Sequence, residues 1–233
     1  MRPQTLDHVA LWVADRDRIA DFVTERVGMH VVDRTDAFTL VGSDARRGKL
    51  TLFSAEGPRE QGALKHVALR VSSLEQAERA IKDGFELERP RPGEVFFDVS
   101  EGLRLGLVEA PTEVDYDLDH VALFSATPEE TAEAYERLGF TAVEPGPSET
   151  PRVEAGGAFV EFHRGEPGDP DKPLLNHLAV KVDSAEEHIA EARDLGLEID
   201  NIVDAANTYA VFVWGPERVR VEYVEHKPEF SLT

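Results

Sequence analysis

The stretch Asp119-His120-Val121-Ala122-Leu123-Phe124 is a short apolar run with a histidine near its start, and versions of it occur four times. The other copies are Asp7-His8-Val9-Ala10-Leu11-Trp12, Lys65-His66-Val67-Ala68-Leu69-Arg70 and Asn176-His177-Leu178-Ala179-Val180-Lys181. Their histidines follow one another at intervals of 58, 54 and 57 residues. A nearly constant period of this length indicates repeated supersecondary units.

Each copy is followed by signals for one helix and then for strands. Thr127-Pro128 and Ser184 are typical of helix N-termini. Each helix meets a glycine suited to a left-handed end: Gly28, Gly84, Gly139 and Gly196. Segments such as 158–162 and 219–223 alternate or are β-branched, as strands are. The predicted unit is therefore a strand, a helix and about three more strands, or βαβββ.

Four such units in 233 residues predict two domains of two consecutive units each. The expected domain boundary is the acidic, proline-containing segment 109–116 between the second and third units. The sequence thus predicts an N-terminal domain over residues 1–112 and a C-terminal domain over residues 117–233.

The charge of the chain restricts its partners. Asp and Glu number 46 against 25 Lys and Arg, which gives a net charge of −21. This charge excludes a nucleic-acid backbone or an anionic membrane as the main partner. Six lysines and strong self-repulsion favour a salt-adapted cytoplasmic protein, with an ordinary acidic bacterial enzyme as the alternative.

The sequence also lacks the features of membrane, exported and disulfide-bonded proteins. No run of 18 apolar residues and no signal-peptide pattern occurs, so neither a membrane span nor export is expected. Cysteine is absent, which excludes disulfides and thiolate ligands. The expected partner is a small-molecule substrate, and a homodimer stays open.

The candidate metal ligands are His120, Glu161, His177 and Glu222. Each unit of the second half offers a histidine on its first strand and a glutamate on its last. If two units pair about a pseudo-twofold axis, all four side chains face one concave surface. Two imidazoles and two carboxylates suit one divalent ion with positions left for water or substrate.

The first half lacks these carboxylates. Its equivalents are His8, Thr51, His66 and Gly106. Two imidazoles without a carboxylate make a poor site for a hard cation. The sequence therefore predicts a metal-free N-terminal domain in which His8 and His66 are structural.

The repeated βαβββ units, the Asp-His-Val-Ala strand and the closing Val-Glu strands resemble the vicinal oxygen chelate superfamily. That superfamily includes glyoxalase I, extradiol ring-cleaving dioxygenases, methylmalonyl-CoA epimerase and the fosfomycin- and bleomycin-resistance proteins. The resemblance implies an α+β fold whose four modules pair into two half-open barrels. It also implies a divalent ion, with nickel, cobalt, manganese, iron and zinc all open.

Two enzyme classes within the superfamily compete. A histidine, glutamate, histidine, glutamate set resembles bacterial glyoxalase I and favours a lyase or isomerase that uses metal-assisted proton transfer. Glu161 would then be both ligand and base, and His163 is a second candidate base. This glyoxalase-like function is the one the sequence favours.

The alternative is an extradiol dioxygenase, whose two-histidine, one-glutamate triad would fall on His120, His177 and Glu222. Such enzymes also use a tyrosine ahead of the last glutamate, where this chain has Phe212, and Tyr209 is the nearest substitute. A non-catalytic binding or resistance protein is a third possibility, although those members lack metal ligands.

Overall fold

The computed structural model describes residues 1–44, 48–81 and 85–228. The predicted helix end at Gly84 lies outside the described residues. Within them the chain forms four successive units, as the repeats predict.

The first unit contains strand β1 (Thr5–Val13), helix α1 (Arg16–Phe22), a π-helical turn (Val23–Val27) and strands β2 (His30–Arg34), β3 (Phe38–Gly42) and β4 (Lys49–Ser54). The second contains β5 (Leu64–Val71), α2 (Leu74–Ile81), β6 (Glu94–Ser100) and β7 (Leu103–Glu109). The third contains β8 (Asp117–Ser125), α3 (Pro128–Arg137), β9 (Thr141–Ala142), β10 (Arg152–Ala155) and β11 (Ala158–Arg164). The fourth contains β12 (Leu175–Lys181), α4 (Ala185–Asp194), β13 (Ile199–Asp204), β14 (Thr208–Trp214) and β15 (Arg220–His226).

The second unit departs from the predicted pattern. Among its described residues only two strands follow the helix, and a single bridge from Glu88 to Phe96 stands where the third strand was expected. The unit is therefore βαββ.

The helix ends follow the sequence signals with one exception. Ser184 Oγ accepts a hydrogen bond from the Glu187 amide at 3.2 Å, as an N-cap should. Thr127 precedes α3 without a side-chain capping bond, and its amide donates to Ser125 Oγ at 3.0 Å instead. Gly28, Gly139 and Gly196 all have positive φ, which confirms them as left-handed helix ends.

The strands form two sheets, and their composition corrects the predicted pairing of units. The eight-stranded sheet has the order β13-β14-β15-β12-β1-β4-β3-β2, and the seven-stranded sheet has the order β6-β7-β5-β8-β11-β10-β9. The first unit therefore joins the fourth, as an outer pair, and the second joins the third, as an inner pair. Each sheet contains strands from both sides of the predicted domain boundary, so the predicted domains at 1–112 and 117–233 do not correspond to the two sheets.

The register inside each unit repeats closely. The last strand runs parallel to the first, and it pairs one residue with the alanine two positions after the histidine. These pairs are Ala10 with Thr51, Ala68 with Gly106, Ala122 with Glu161 and Ala179 with Glu222. The equivalence of these four positions, predicted from the repeats, is confirmed.

The helices pack against the convex sides of the sheets over a continuous apolar core. Its largest fully buried side chains include Tyr135, Tyr223, Phe97 and Phe162. Burying each such side chain stabilises the fold by about 2 kcal/mol relative to exposing it. The opposite, concave faces carry the polar groups described below.

No helix within the described ranges has both the length and the apolar character needed to cross a membrane.

Candidate functional site

The centre of the outer pair is the seam between β1 and β12. These strands run antiparallel with His8 opposite Ala179 and Ala10 opposite His177. Because side chains alternate along a strand, this register brings both imidazoles to the same concave face. The Nε2 atoms of His8 and His177 lie 3.0 Å apart.

Glu222 completes a three-residue cluster. It lies on β15 beside β12, and its Oε2 is 3.0 Å from His177 Nε2 and 3.3 Å from His8 Nε2. The three candidate ligand atoms all lie within 4.8 Å of one another. One nitrogen from each histidine and one carboxylate oxygen thus converge on a point that a cation can occupy.

The Nδ1 atoms of the two imidazoles, on the side away from the cluster, contact side-chain oxygens of the preceding residues. His8 Nδ1 is 2.8 Å from Asp7 Oδ2, and His177 Nδ1 is 3.0 Å from Asn176 Oδ1. With these oxygens as acceptors, each Nδ1 carries a proton, which leaves Nε2 as the nitrogen that can present a lone pair to a metal ion. Metal-binding histidines are commonly oriented in this way.

Asp7 is the hub of the buried network behind His8. Lys49 Nζ lies 2.8 Å from Asp7 Oδ2, and His226 Nε2 lies 3.0 Å from Asp7 Oδ1. Burial alone would raise the pKa of Asp7, but Lys49, His226 and His8 hold that pKa well below its usual value. Asp7 is therefore ionised and fixes the orientation of the His8 ring.

The pKa values show that the cluster attracts positive charge. Burial lowers the pKa of His8, but hydrogen bonds to Asp7 and Glu222 raise it to about 9. Burial raises the pKa of Glu222, yet the His177 and His8 rings bring it down to about 2. Burial lowers the pKa of His177 and outweighs the opposing effect of Glu222. Glu222 is thus an ionised ligand at neutral pH, and His8 takes up a proton when no other cation compensates it.

A cavity of about 440 Å³ opens over the cluster. Aromatic walls come from Phe38, Phe53 and Phe212, and the Phe212 ring centroid is 5.1 Å from that of His177. Asp33 and His226 also line the cavity. Its size is that of a small-molecule site, and its walls suit a flat apolar ring.

Thr51 occupies the position in the outer pair where a second carboxylate was sought. It lies on β4 at the register equivalent to Glu222, is buried and lines the cavity. A hydroxyl is a weak ligand, so the outer pair offers two histidines and one carboxylate.

The inner pair repeats the arrangement without converging. His66 Nε2 and His120 Nε2 lie 2.9 Å apart, and Asp119 holds His120 Nδ1 at 2.7 Å. Glu161 Oε2, however, is 4.0 Å from His120 Nε2 and 3.3 Å from His163 Nε2. The carboxylate is thus closer to His163 than to the imidazole pair.

These positions correct the predicted metal centre. His120 and Glu161 lie in the seven-stranded sheet, whereas His177 and Glu222 lie in the eight-stranded sheet. The structure forms two clusters, each completed by a histidine of the first half, and not one four-ligand centre. Metal binding by any of these residues stays a prediction.

The expectations for single residues change accordingly. His163 lies in the inner cavity with Glu161. Tyr209 points away from the outer cavity, since its hydroxyl donates to Glu186 Oε2 on α4 at 2.9 Å. The hydrogen bond to Glu186 raises the pKa of Tyr209. Phe212 faces the outer cavity because it stands an odd number of residues further along the strand.

His8 is the site residue that sequence reasoning set aside as structural. The missing carboxylate of the first half was the reason, and the structure supplies Glu222 from the fourth unit instead. The available signal was the dipeptide Asp7-His8, which repeats Asp119-His120.

Residues 5–92 match the family model described as Glyoxalase/Bleomycin resistance protein/Dioxygenase superfamily. This region belongs to that superfamily. The match begins at β1 and includes His8 and Thr51. No curated protein sequence matches the chain.

Solved structures share the fold over nearly the whole chain. Glyoxalase I from Zea mays is 18% identical, with a TM-score of 0.75 over 95% of this chain and 92% of that one. A proposed dioxygenase from Bacillus subtilis subsp. subtilis str. 168 is 17% identical, with a TM-score of 0.77 over 98% and 87%. The cppA protein from Streptococcus pneumoniae TIGR4 is 14% identical, with a TM-score of 0.64 over 96% and 98%. At these identities the likeness concerns the fold, which is the one that the superfamily resemblance implied.

Proposed function

We propose that this chain is a divalent-metal-dependent oxygenase that cleaves the ring of a small aromatic diol, with its centre at His8, His177 and Glu222. The observation that carries the proposal is the converging set of two imidazoles and one carboxylate with Thr51 in the fourth register position. Two histidines and one carboxylate with open positions form the ligand set of non-haem iron(II) oxygenases. Such a bound ion would supply a common centre for the diol oxygens and for molecular oxygen.

The residues around this set have distinct roles in the proposal. Asp7 and Asn176 hold the Nδ1 atoms of the two histidines, so that the Nε2 atoms would be free to bind the ion. Phe38, Phe53 and Phe212 exclude water and hold the flat ring. His226, at the cavity wall, is positioned to exchange a proton with a diol hydroxyl. Ring cleavage inserts both atoms of molecular oxygen across one carbon–carbon bond and needs no external reductant.

The sequence favoured a glyoxalase-like proton transfer, whereas ring cleavage is the function proposed here. That preference depended on Glu161 as a second carboxylate beside His177 and Glu222. Glu161 lies in the inner pair beside His163, so this reason no longer applies.

A glyoxalase-like proton transfer is the second candidate, and one observation favours it. Asp33 lines the cavity, and neither a hydrogen bond nor an ion pair engages its carboxylate within the described ranges. An unengaged carboxylate next to a metal-bound carbonyl is a suitable base for a carbon acid.

Metal analysis followed by two assays tests the proposal. We expect about one divalent ion per chain, and oxygen uptake with catechols or hydroquinones after loading with iron(II) under anaerobic conditions. His8→Ala, His177→Ala and Glu222→Gln should each lose the ion, whereas His30→Ala, at an exposed position on β2, should retain it. Full metal retention in His8→Ala would reject the assigned centre.

Substrate turnover then separates the two candidates. Turnover of hemithioacetals without oxygen uptake, abolished by Asp33→Asn, would favour the second candidate over the first. In the ring-cleaving enzyme, Asp33→Asn should change oxygen uptake by less than about tenfold, because Asp33 is not its base.

A further inference from the structure

The inner pair contains a cavity of about 340 Å³ at the place equivalent to the proposed metal centre of the outer pair. The two cavities carry opposite charge. Among the described residues, the outer cavity is lined by three carboxylates and one lysine, whereas the inner cavity is lined by Lys65, Arg91 and Arg104 against two carboxylates. In a chain of net charge −21, a cationic cavity is an exception that its lining residues create.

Lys65 creates much of this difference. It precedes His66 on β5, at the position where Asp7, Asp119 and Asn176 precede the other three histidines. Its Nζ lies 2.9 Å from His163 Nδ1, and His163 Nε2 in turn lies 3.3 Å from Glu161 Oε2. The lysine thereby orients His163 towards Glu161. Glu161 is the carboxylate that His66 and His120 would need to form a cation site, and its contact with His163 keeps it away from them.

Two arginines complete the cationic wall. Arg91 pairs with Glu94 at 2.9 Å, but its Nη1 atom is buried without a hydrogen-bond partner among the described residues. That buried atom is closed off from the cavity, so Arg91 contributes its positive charge to the wall and not a free donor. The Arg104 guanidinium lies over the Phe96 ring, 5.7 Å from its centroid, and pairs with Glu88 and, at 3.2 Å, with Asp98.

The electrostatics of His66 agree with this picture. Burial, followed by the charges of His120, Lys65, His163 and Arg104, brings the pKa of His66 down to about 2. The surroundings of this ring therefore disfavour an added positive charge.

We propose that the inner cavity is a second ligand site, which binds a small organic molecule through a carboxylate or phosphate group held by Lys65, Arg91 and Arg104. The cavity volume is that of a small-molecule site, and charged guanidinium and ammonium groups are the usual partners of oxyanions. The proposal does not depend on the chemistry of the outer centre.

Calorimetric titration of the full chain tests this site, with benzoate and inorganic phosphate as separate probes at matched ionic strength. We expect saturable binding of at least one probe at one site per chain. Saturation by benzoate alone assigns an organic acid, and saturation by phosphate alone assigns a phosphate group. Lys65→Met and Arg91→Met should each weaken that binding by about tenfold or more, because each removes a positive charge from the cavity wall. Melting curves of both variants establish that they are folded.

Lys181→Met is the matched control, since Lys181 ends β12 in the other sheet and lines neither cavity. It should leave the affinity unchanged, as should His177→Ala in the outer pair. Absence of saturable binding for both probes would overturn the proposal, as would equal affinity in the Lys65 and Arg91 variants. Loss of binding in His177→Ala would place the anion in the outer cavity, and a second divalent ion lost with His120→Ala would make the inner cavity a metal site.

Discussion

Single residues decide why two equivalent seams differ. Both place two histidines with their Nε2 atoms about 3 Å apart, at 3.0 and 2.9 Å. Asp7 and Asn176 hold the Nδ1 atoms of His8 and His177, and Asp119 holds that of His120, whereas Lys65, which precedes His66, contacts His163 in the inner cavity. In the outer pair Glu222 Oε2 lies 3.0 Å from His177 Nε2, whereas in the inner pair Glu161 Oε2 lies 4.0 Å from His120 Nε2.

Thr51 offers a direct test of the three-ligand set. Thr51→Glu places a carboxylate at the register position equivalent to Glu222. We expect tighter metal binding but at least about tenfold slower oxygen uptake, because the added ligand fills a position that substrate or oxygen needs. Thr51→Gln, of equal size and without charge, controls for bulk and should not tighten metal binding. Metal affinity and oxygen uptake measured on both variants check this, and faster uptake in Thr51→Glu would contradict it.

The buried Lys49–Asp7 pair makes a prediction about stability. Both side chains are at most 3% exposed and lie 2.8 Å apart. Lys49→Met removes one partner of a buried pair and should lower the free energy of unfolding by about 3 kcal/mol. Lys227→Met breaks an exposed pair with Asp204 and should cost less than about 1 kcal/mol. Urea denaturation compares them, and equal losses would mean that burial of the Lys49 pair is not decisive.

At the scale of elements, a hairpin links the two sheets. Gly156 and Gly157 form the turn between β10 and β11, and both have positive φ. A Cβ atom on Gly156 would lie 1.9 Å from the carbonyl oxygen of Gln4, next to β1 of the other sheet, whereas one on Gly157 would have no atom of the described residues within 4 Å. The Gln4 oxygen belongs to the backbone, so it cannot rotate out of the way as a flexible side chain could.

The two glycines therefore form a matched pair of variants. Gly157→Ala should cost about 1–2 kcal/mol, the strain of a left-handed conformation at a residue with a Cβ atom. Gly156→Ala adds displacement of the Gln4 backbone and should lower Tm by roughly a further 5 °C, which corresponds to about 2 kcal/mol in a chain of this size. Differential scanning calorimetry measures both. Identical melting temperatures would show that β1 and this hairpin do not pack as closely as the structure has them.

At the scale of the whole molecule, each sheet is built from both halves of the chain. A fragment of residues 117–233 contains His177 and Glu222 but lacks His8 and the β1 strand. We expect this fragment alone to bind no divalent ion with the affinity of the intact chain, and a mixture with residues 1–112 to restore binding by re-forming the β1–β12 seam. Metal titrations of the fragment, the mixture and the intact chain measure this. Full affinity in the fragment alone would favour the originally predicted C-terminal centre.

The net charge of −21 is also a property of the whole molecule. Screening by salt weakens repulsion between like charges, so the melting temperature should rise between low and high potassium chloride. Thermal melts over that range check the expectation. A melting temperature that is flat or falls with salt would remove the argument for salt adaptation and leave both enzymatic candidates in place.

The sequence by itself determined the repeating unit and the equivalence of its positions. The 3.6-residue and two-residue periodicities, the helix-ending glycines and the histidine spacing are local signals, because they depend on residues close along the chain. They were sufficient for the superfamily fold and for identifying Thr51, Gly106, Glu161 and Glu222 as equivalent residues. They also identified His177 and Glu222 as neighbours, since both belong to one unit.

Only the tertiary structure decided which units share a sheet, and hence that His8 faces His177 while His66 faces His120. The first strands of all four units have nearly the same apolar pattern, so local sequence favours no partner over another. The choice is made by non-local burial, in which the β1–β12 and β5–β8 seams form together with the core that both sheets enclose. Because the four candidate ligands belong to two seams, the composition of the site depends on that packing.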